Sequence, residues 1–467
     1  MEQNNYSHIK YGIIPAPKLW DCEPVPLTDE TMRTRFERVK KAMSARNLDA
    51  LCVYGDREHG GNFEYLTGFW PRFEETLLIL HQNGPAYLLL GNESLKMGPY
   101  CRIKDAKVIH VPHFSLPNQP MKGGRPVGEL FRAAGLSAGM HVGIAGWKMF
   151  TSPWEDNHGL FEVPSMIVDK IRDIVGSRGS CTNVGELLIH PGYGVRVLNN
   201  ANEIAYFEYG AAMASNCVYR VMEAIAPGKT ELEVASELNA CGQPLSVQPI
   251  CAGGERFTRG EVAPRNKKVC EGDPFSVTMG LRGGLTSRSG YVVYGQDGLP
   301  KAASDYMEAM VKPYFAAAVQ WYEHVDIGVT GGELYEQIEH ILPPSIYGWV
   351  LNPGHLTASE EWLSSPIYPG SCIDIKSGML LQMDIIPKRP GYGGINCEDG
   401  IAVADTKLRH SLALLYPKTW ERILARRKYM IEILGIQISD GILPLSNTEG
   451  YLRPYLLEKS RAMYVER

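Results

Sequence analysis

The chain has no long apolar run, no excess of one charge and no closely spaced cysteine pair. Each absence excludes a class. No stretch approaches the ~18 consecutive apolar residues of a membrane helix. The opening "MEQNNYSHIKYGIIPAPKLW" has no apolar h-region, so it does not read as a signal peptide. Lys and Arg total 47 against 52 Asp and Glu, a net charge of −5 with no basic block. That excludes the electrostatic footprint of a nucleic-acid or anionic-membrane binder. The 10 cysteines are scattered and none forms C-x-x-C, so neither a zinc knuckle nor a thioredoxin-like motif is present. Free thiols in a reducing cytoplasm are the expectation. Internal repeats and low-complexity segments are also missing.

What is present is ordinary globular composition. Hydrophobic residues make up 44% and charged residues 21% of 467 residues, enough for two domains. The Pro-rich start reads as an arm. Thr28 and Asp29 then suit the start of an amphipathic helix, with Met32, Phe36, Val39 and Met43 at helical spacing. "ALCVYG" reads as a strand. "EETLLIL" and "AYLLLG" around His81-Gln-Asn-Gly-Pro read as a hairpin, and "KVIHVPH" and "HVGIAG" as further strands. "HPGYGVRVLNN" (190–200) reads as the linker. The expected division is therefore 1–190, a smaller α/β domain, and 195–467, a larger α+β domain.

The second half predicts a long helix over 202–225, stopped by Pro227-Gly228. A capping box follows at Thr230 and Glu233. Strands are predicted at 246–252, 274–279 and 290–294, and helices at 301–324 and 331–341. Strands near 380–386 and 396–404 and a helix from Thr419 to about Leu434 complete the pattern. Residues 277–293, "VTMGLRGGLTSRSGYVV", read as strand, glycine turn, strand. The final "DGILPLSNTEGYLRPYLLEKSRAMYVER" is apolar enough to dock on the body of the protein or on a partner subunit.

Four segments, in order, carry a resemblance: "NEIAYFEYGAAMASNCVYRVMEAIAPGKTELEVASEL", "APRNKKVCEGDPFSV", "NPGHLTASEEWLSSP" and "SGMLLQMDIIPKRPGYGGINCEDGIAV". Together they resemble the creatinase/aminopeptidase (M24, pita-bread) family. "RFERVKKAMSARNLDALCVYG" and "NFEYLTGF" are similar to the smaller N-terminal domain of creatinase and prolidase. The resemblance implies a two-domain α/β fold and, in the family's metal enzymes, two divalent ions held by two Asp, one His and two Glu.

Carried over position by position, the family's first Asp falls at Thr278 or Met279 and the second near Arg288. A threonine is a weak ligand and an arginine repels a cation. The expectation is thus no two-metal site, no cofactor, and a creatinase-like member with a degenerate metal site. His355, Asp384 and Glu398 match the remaining three positions, with Asp384 one methylene shorter than the family's Glu. The family's upstream His falls near Glu261, beside Arg256 and Arg259, and its second His near Trp362, beside Glu360 and Glu361.

The leading expectation is a metal-independent, creatinase-like hydrolase of a C–N bond in a small carboxylate-bearing substrate. His355 would be the acid or base, oriented by Glu398 or Asp384. Arg288 and Arg282 would bind the substrate carboxylate or an oxyanion. Glu261 and Trp362 would line the pocket, and Arg72 would reach the pocket of a neighbouring subunit in a homodimer. Two alternatives stand beside it: a one-metal Xaa-Pro-type peptidase using His355, Asp384 and Glu398, and a non-catalytic pita-bread binding protein.

Overall fold

The computed structural model describes residues 6–256 and 262–467. Its chain divides into two compact units, 27–197 and 1–26 with 198–467. The first 26 residues thus group with the C-terminal unit, where the sequence had placed them in the first domain. The cause is strand pairing: β1 (Ile9–Ile13) runs antiparallel to the chain's last strand, Arg461–Val465. The arm's Trp20 carbonyl also accepts from Asn216 and Asn447.

The 27–197 unit opens with the Asp29–Ala45 helix, capped by the Thr28 side chain, which accepts from the Thr31 N–H. Its apolar stripe buries Met32, Val39 and Met43. Six strands follow: β2 (Ala50–Gly55), β3 (Thr76–His81), β4 (Ala86–Leu90), β5 (Lys107–His110), β6 (His141–Ala145) and β7 (Ser180–Asn183). They form one mixed sheet in the order β5-β4-β3-β2-β6-β7. β2 and β3 are buried along their whole length, which explains their unbroken apolar runs.

The C-terminal unit is built on a second sheet of β8 (Ile250–Gly253), β9 (Pro274–Leu281), β10 (Gly284–Tyr291), β11 (His355–Leu356), β12 (Leu380–Met383), β13 (Asn396–Val403) and β14 (Ile442–Pro444). The order is β11-β12-β13-β10-β9-β8, with β14 also pairing β13. β15 (Arg461–Val465) pairs with β1 in a separate two-stranded sheet. The Ala201–Ala224 helix, begun by an Asn200–Glu203 capping box, packs on the β9–β10 hairpin. Gly283 makes the turn at φ +99, and a Cβ there would lie 2.4 Å from the Phe207 carbonyl of that helix. Only glycine meets both demands.

Several expected boundaries move. The second strand of the hairpin spans 284–291 rather than 290–294, because the turn is only two residues long and polar Thr286, Ser287 and Ser289 are strand residues buried by their neighbours. The expected 301–324 helix is a short 3-10 turn, a π-turn at Met307–Val311 and a regular helix only from Lys312, where Pro313 sits in the first turn. A helix at Thr406–Leu415, capped by Asp405, precedes the tail helix Pro417–Lys428.

The tail helix is tied down electrostatically. Glu208, in the middle of the Ala201–Ala224 helix, receives Arg422 through two hydrogen bonds at 2.8 and 2.6 Å, and Arg426 lies 2.7 Å away. All three are buried. Removing the acid leaves two buried cations together, which is far costlier than losing a surface pair. Glu208→Ala is expected to lose about 3–5 kcal/mol of stability, measured by denaturant unfolding, whereas exposed Lys418→Ala, whose contact with Glu23 spans 3.7 Å, changes it by less than about 0.5 kcal/mol.

Candidate functional site

Strand alternation decides which side chains face the site. Register pairs Thr278 with Ser287, Ser287 with Glu398, Gln382 with Gly400 and His355 with Gln382. Those residues therefore share one face of the sheet. Arg288, Cys397 and Asp399 occupy the other. His355 follows Gly354, whose φ is +132 and whose Cβ would lie 2.8 Å from the Gln382 carbonyl. That glycine lets β11 lie close against β12 and so presents His355 to the acids.

His355, Asp384 and Glu398 converge: each offers a ligand atom, and these atoms lie within 4.8 Å of one another. His355 Nε2 is 3.9 Å from Asp384 Oδ2 and 3.0 Å from Glu361 Oε1, an ion-pair contact rather than an aligned hydrogen bond. Its ring stacks on Trp362 with centroids 4.1 Å apart. Burial opposes charge on His355, but Glu361 first and Asp384 second outweigh it and raise its pKa. Asp384 is pushed up to about 6 by burial and by Glu361, against the pull of His355. Glu398, wholly buried beside Asp384 and Glu361, is raised well above the usual carboxylate range.

The opposite face holds the missing arginine. Arg288 does not line the site. Its guanidinium pairs with the Asp399 carboxylate and donates to the carbonyls of Ser287 (2.8 Å), Glu398 (3.0 Å), Thr448 (2.6 Å) and Tyr451 (2.8 Å). The expectation was one residue out of register, and a one-residue shift in a strand turns a side chain to the other face. The residue that stands beside Thr278 is Ser287, and their hydroxyls share a hydrogen bond of 2.6 Å. Arg282 also lies elsewhere: it sits in the β9–β10 turn and lines a separate hollow with Pro24, Tyr206 and Tyr209. Arg72 is exposed in the other unit with its guanidinium over the Phe73 ring. Glu261 lies outside the described residues.

A pocket of about 780 Å³ opens on the site's face. Ser276, Ser289 and Asn396 line it, each two residues along its strand from Thr278, Ser287 and Glu398. Lys388, Arg389 and Arg256 also line it. The sequence reading missed four contributors: Ser287, Gln382, Asn396 and, as the acid nearest His355, Glu361. Glu361 was noticed only as a neighbour of Trp362. The other three needed the register.

Residues 205–405 match the model of metallopeptidase family M24. That match takes in less than half of the chain and lies within its C-terminal unit, which is thereby similar to that family. A curated relative, an uncharacterized peptidase of Bacillus subtilis, is 23% identical over 220 residues. That match takes in 45% of this chain and 61% of the relative, so it spans less than two thirds of the relative's length. Among solved structures, the prolidase from Thermococcus sibiricus superposes with a TM-score of 0.62 at 20% identity, covering 80% of this chain and 95% of that one. The dipeptidase PepE from Mycobacterium ulcerans gives 0.61 at 18%, covering 81% and 95%. The prolidase from Pyrococcus horikoshii gives 0.60 at 17%, covering 79% and 95%. These likenesses establish the two-domain α/β fold. No helix among the described residues is long and apolar enough to cross a membrane.

The family implies two divalent ions, and this site does not fit a pair. Thr278, on which the resemblance places the first carboxylate, and Ser287 opposite it are neutral and bond to each other. The remaining trio does fit one ion: an imidazole and two carboxylates, with Asp384 Oδ1 and His355 Nε2 buried without a hydrogen-bond partner.

The three raised pKa values share one sign. In each case the folded state holds a proton more tightly than the unfolded chain, so stability is full at low pH and is lost as pH rises through the folded value. Glu398→Gln imitates the protonated state and escapes its part of the loss. In chelator, the melting temperature of Glu398→Gln relative to wild type is expected to climb steadily from pH 5 to pH 8. A constant or falling difference would contradict the assigned shift.

Proposed function

We propose that the chain is a hydrolase of a C–N bond in a small carboxylate-bearing substrate, working without a metal ion. His355 between Glu361 and Trp362, with Asp384 beside it, is the observation that carries this reading. Glu361 and Asp384 raise its pKa against its burial and favour the imidazolium, which makes His355 the acid that delivers a proton to the departing nitrogen. Asp384, with a pKa near 6, is the better matched base for the attacking water. The new C–O bond thus forms as the C–N bond breaks, the water's proton passing to Asp384 and the imidazolium proton to the leaving amine. Glu361 holds the imidazole in place and supports its charge. The substrate's carboxylate meets Lys388 and Arg389 in the adjoining pocket, in place of the Arg288 and Arg282 named from sequence.

The convergence of His355, Asp384 and Glu398 supports a second reading, a one-metal Xaa-Pro-type peptidase. Those three side chains would hold the ion, which would polarise a carbonyl and acidify a bound water. A screen of amides, guanidines, ureido acids and Xaa-Pro dipeptides with chelator-treated protein separates the two. The first reading expects turnover in chelator and a loss of roughly 10²–10⁴-fold in kcat for His355→Ala. Turnover that vanishes in chelator and returns with Mn²⁺ or Zn²⁺, with near-stoichiometric metal in the purified protein, selects the second.

A further inference from the structure

A second cavity in the C-terminal unit shares no lining residue with the pocket beside His355. Its volume is about 170 Å³, and separate segments of the chain converge on it. Tyr206 and Tyr209 come from the Ala201–Ala224 helix, three positions apart and so on one side of it. Val25 comes from the N-terminal arm, Pro244 from the segment before β8 and Arg282 from the β9–β10 turn. An apolar cavity of ~150 Å³ accepts benzene, so this one has the size of a single six-membered ring. Among its described lining residues, Arg282 is the one charged side chain and none is a carboxylate. Glu208, beside Tyr209 in sequence, is already held by Arg422 and Arg426. Aromatic and apolar walls with one guanidinium and no acid complement an anion on an apolar body.

The turn that supplies Arg282 also holds the loop of Glu361. Gly210 of the helix lies so close that a Cβ there would stand 1.7 Å from the Arg282 carbonyl. One residue on, the Gly283 N–H donates to the Ala358 carbonyl at 2.8 Å. The Ala358 N–H donates to the Glu360 carbonyl at 3.0 Å, and Thr357 Oγ1 donates to the same oxygen at 3.2 Å. The next residue is Glu361, the acid 3.0 Å from His355 Nε2. Close packing of this kind leaves the turn no slack to move alone. We propose that the cavity is a second binding site, for a small carboxylate carried on one ring, and that its occupancy is felt at the Glu361 loop through the Arg282–Gly283 turn. The carboxylate pairs with the Arg282 guanidinium, and the ring lies against Tyr206 and Tyr209. A neutral ring would fill the volume but leave the charge of Arg282 without an anion from the ligand, and a bare small anion would do the reverse. Such a ligand sits outside the chamber of His355, so it acts as an effector and not as a substrate. The inference goes beyond the hydrolase reading and does not depend on it.

The test measures binding and needs no turnover. Chelator-treated full-length protein is titrated calorimetrically with benzoate and cyclohexanecarboxylate, and with the neutral counterparts benzamide and cyclohexanecarboxamide. At least one acid is expected to bind saturably and about tenfold or more tighter than its amide, as a charge-assisted pair requires. The pocket beside His355 also offers Lys388 and Arg389 to a carboxylate, so the variants must tell the two sites apart. Arg282→Gln should weaken binding by a similar factor. Val25→Trp, which fills the cavity from the half-buried arm, should do the same and guards against a mere folding defect at the turn. Lys388→Gln should leave this binding unchanged. In Lys388→Gln protein, cyclohexanecarboxylate is expected to slow amide hydrogen exchange severalfold at Gly283 and across 357–361. No saturable binding, equal affinity for acid and amide, or binding lost in Lys388→Gln yet kept in both cavity variants would overturn the proposal. So would saturable binding that leaves exchange across 357–361 unchanged. The result is independent of whether any C–N substrate is turned over.

Discussion

The structure hangs on the buried pair of Arg288 and Asp399. Neither belongs to the site, yet between them they fix it. One guanidinium ties the backbone carbonyls of Ser287 and Glu398 on neighbouring strands to the carbonyls of Thr448 and Tyr451 in the C-terminal segment. Thr286 Oγ1 donates to the same Asp399 carboxylate at 2.8 Å. Arginine suits this role because its planar fork offers five donors and is never neutral. A buried charge with every donor engaged tolerates no shift of register, since a slip would strand it. Behind the sheet, Glu449 is the surplus acid. Burial and Asp399 push its pKa far up, and the Tyr322 hydroxyl donates to it at 2.7 Å.

The sheet therefore separates charge across its thickness. The cation is on one face, compensated and sealed. The other face carries His355, Asp384, Glu398 and, from the following loop, Glu361. Because Arg288 points away, its charge does not balance those acids. Their raised pKa values have the same origin as the orphaned oxygens of Gln382, Asn396 and Asp384: the face is built to accept. The C-terminal segment, which from sequence had no assigned task beyond docking, closes the back of this arrangement, and β15 completes it by pairing with the N-terminal arm.

Local signals were legible in the sequence. Capping at Thr28 and Thr230, the hairpin around His81 and the glycine turn after Leu281 all stand where side-chain chemistry put them. So were the four ordered segments that resemble the M24 family. Three things were not legible. The identity of the residue beside Thr278 depended on strand register, and counting along "GGLTSRSG" cannot distinguish Ser287 from Arg288 to the needed single residue. The partner of β1 lies at the opposite end of the chain, beyond any local pattern. Glu361 reaches His355 from a loop, where no periodicity constrains direction.

Register also changes the meaning of the lost carboxylates. Had Arg288 faced the site, it would have acted as a fixed cation and made the chamber an anion receptor. Thr278 and Ser287 instead remove two negative charges and then close on each other through one hydrogen bond. That pair of strands now contributes shape and little field. Among the described residues, the imidazole of His355 and the carboxylates of Asp384, Glu398 and Glu361 come from β11, β13, the segment after β12 and the Glu361 loop. Such a set is short of positive charge by at least one unit whenever the acids ionise, and in a site this buried the shortage is met by protonation or by a bound cation. Protonation alone would satisfy the acids but would leave the oxygens of Gln382 and Asn396 without partners.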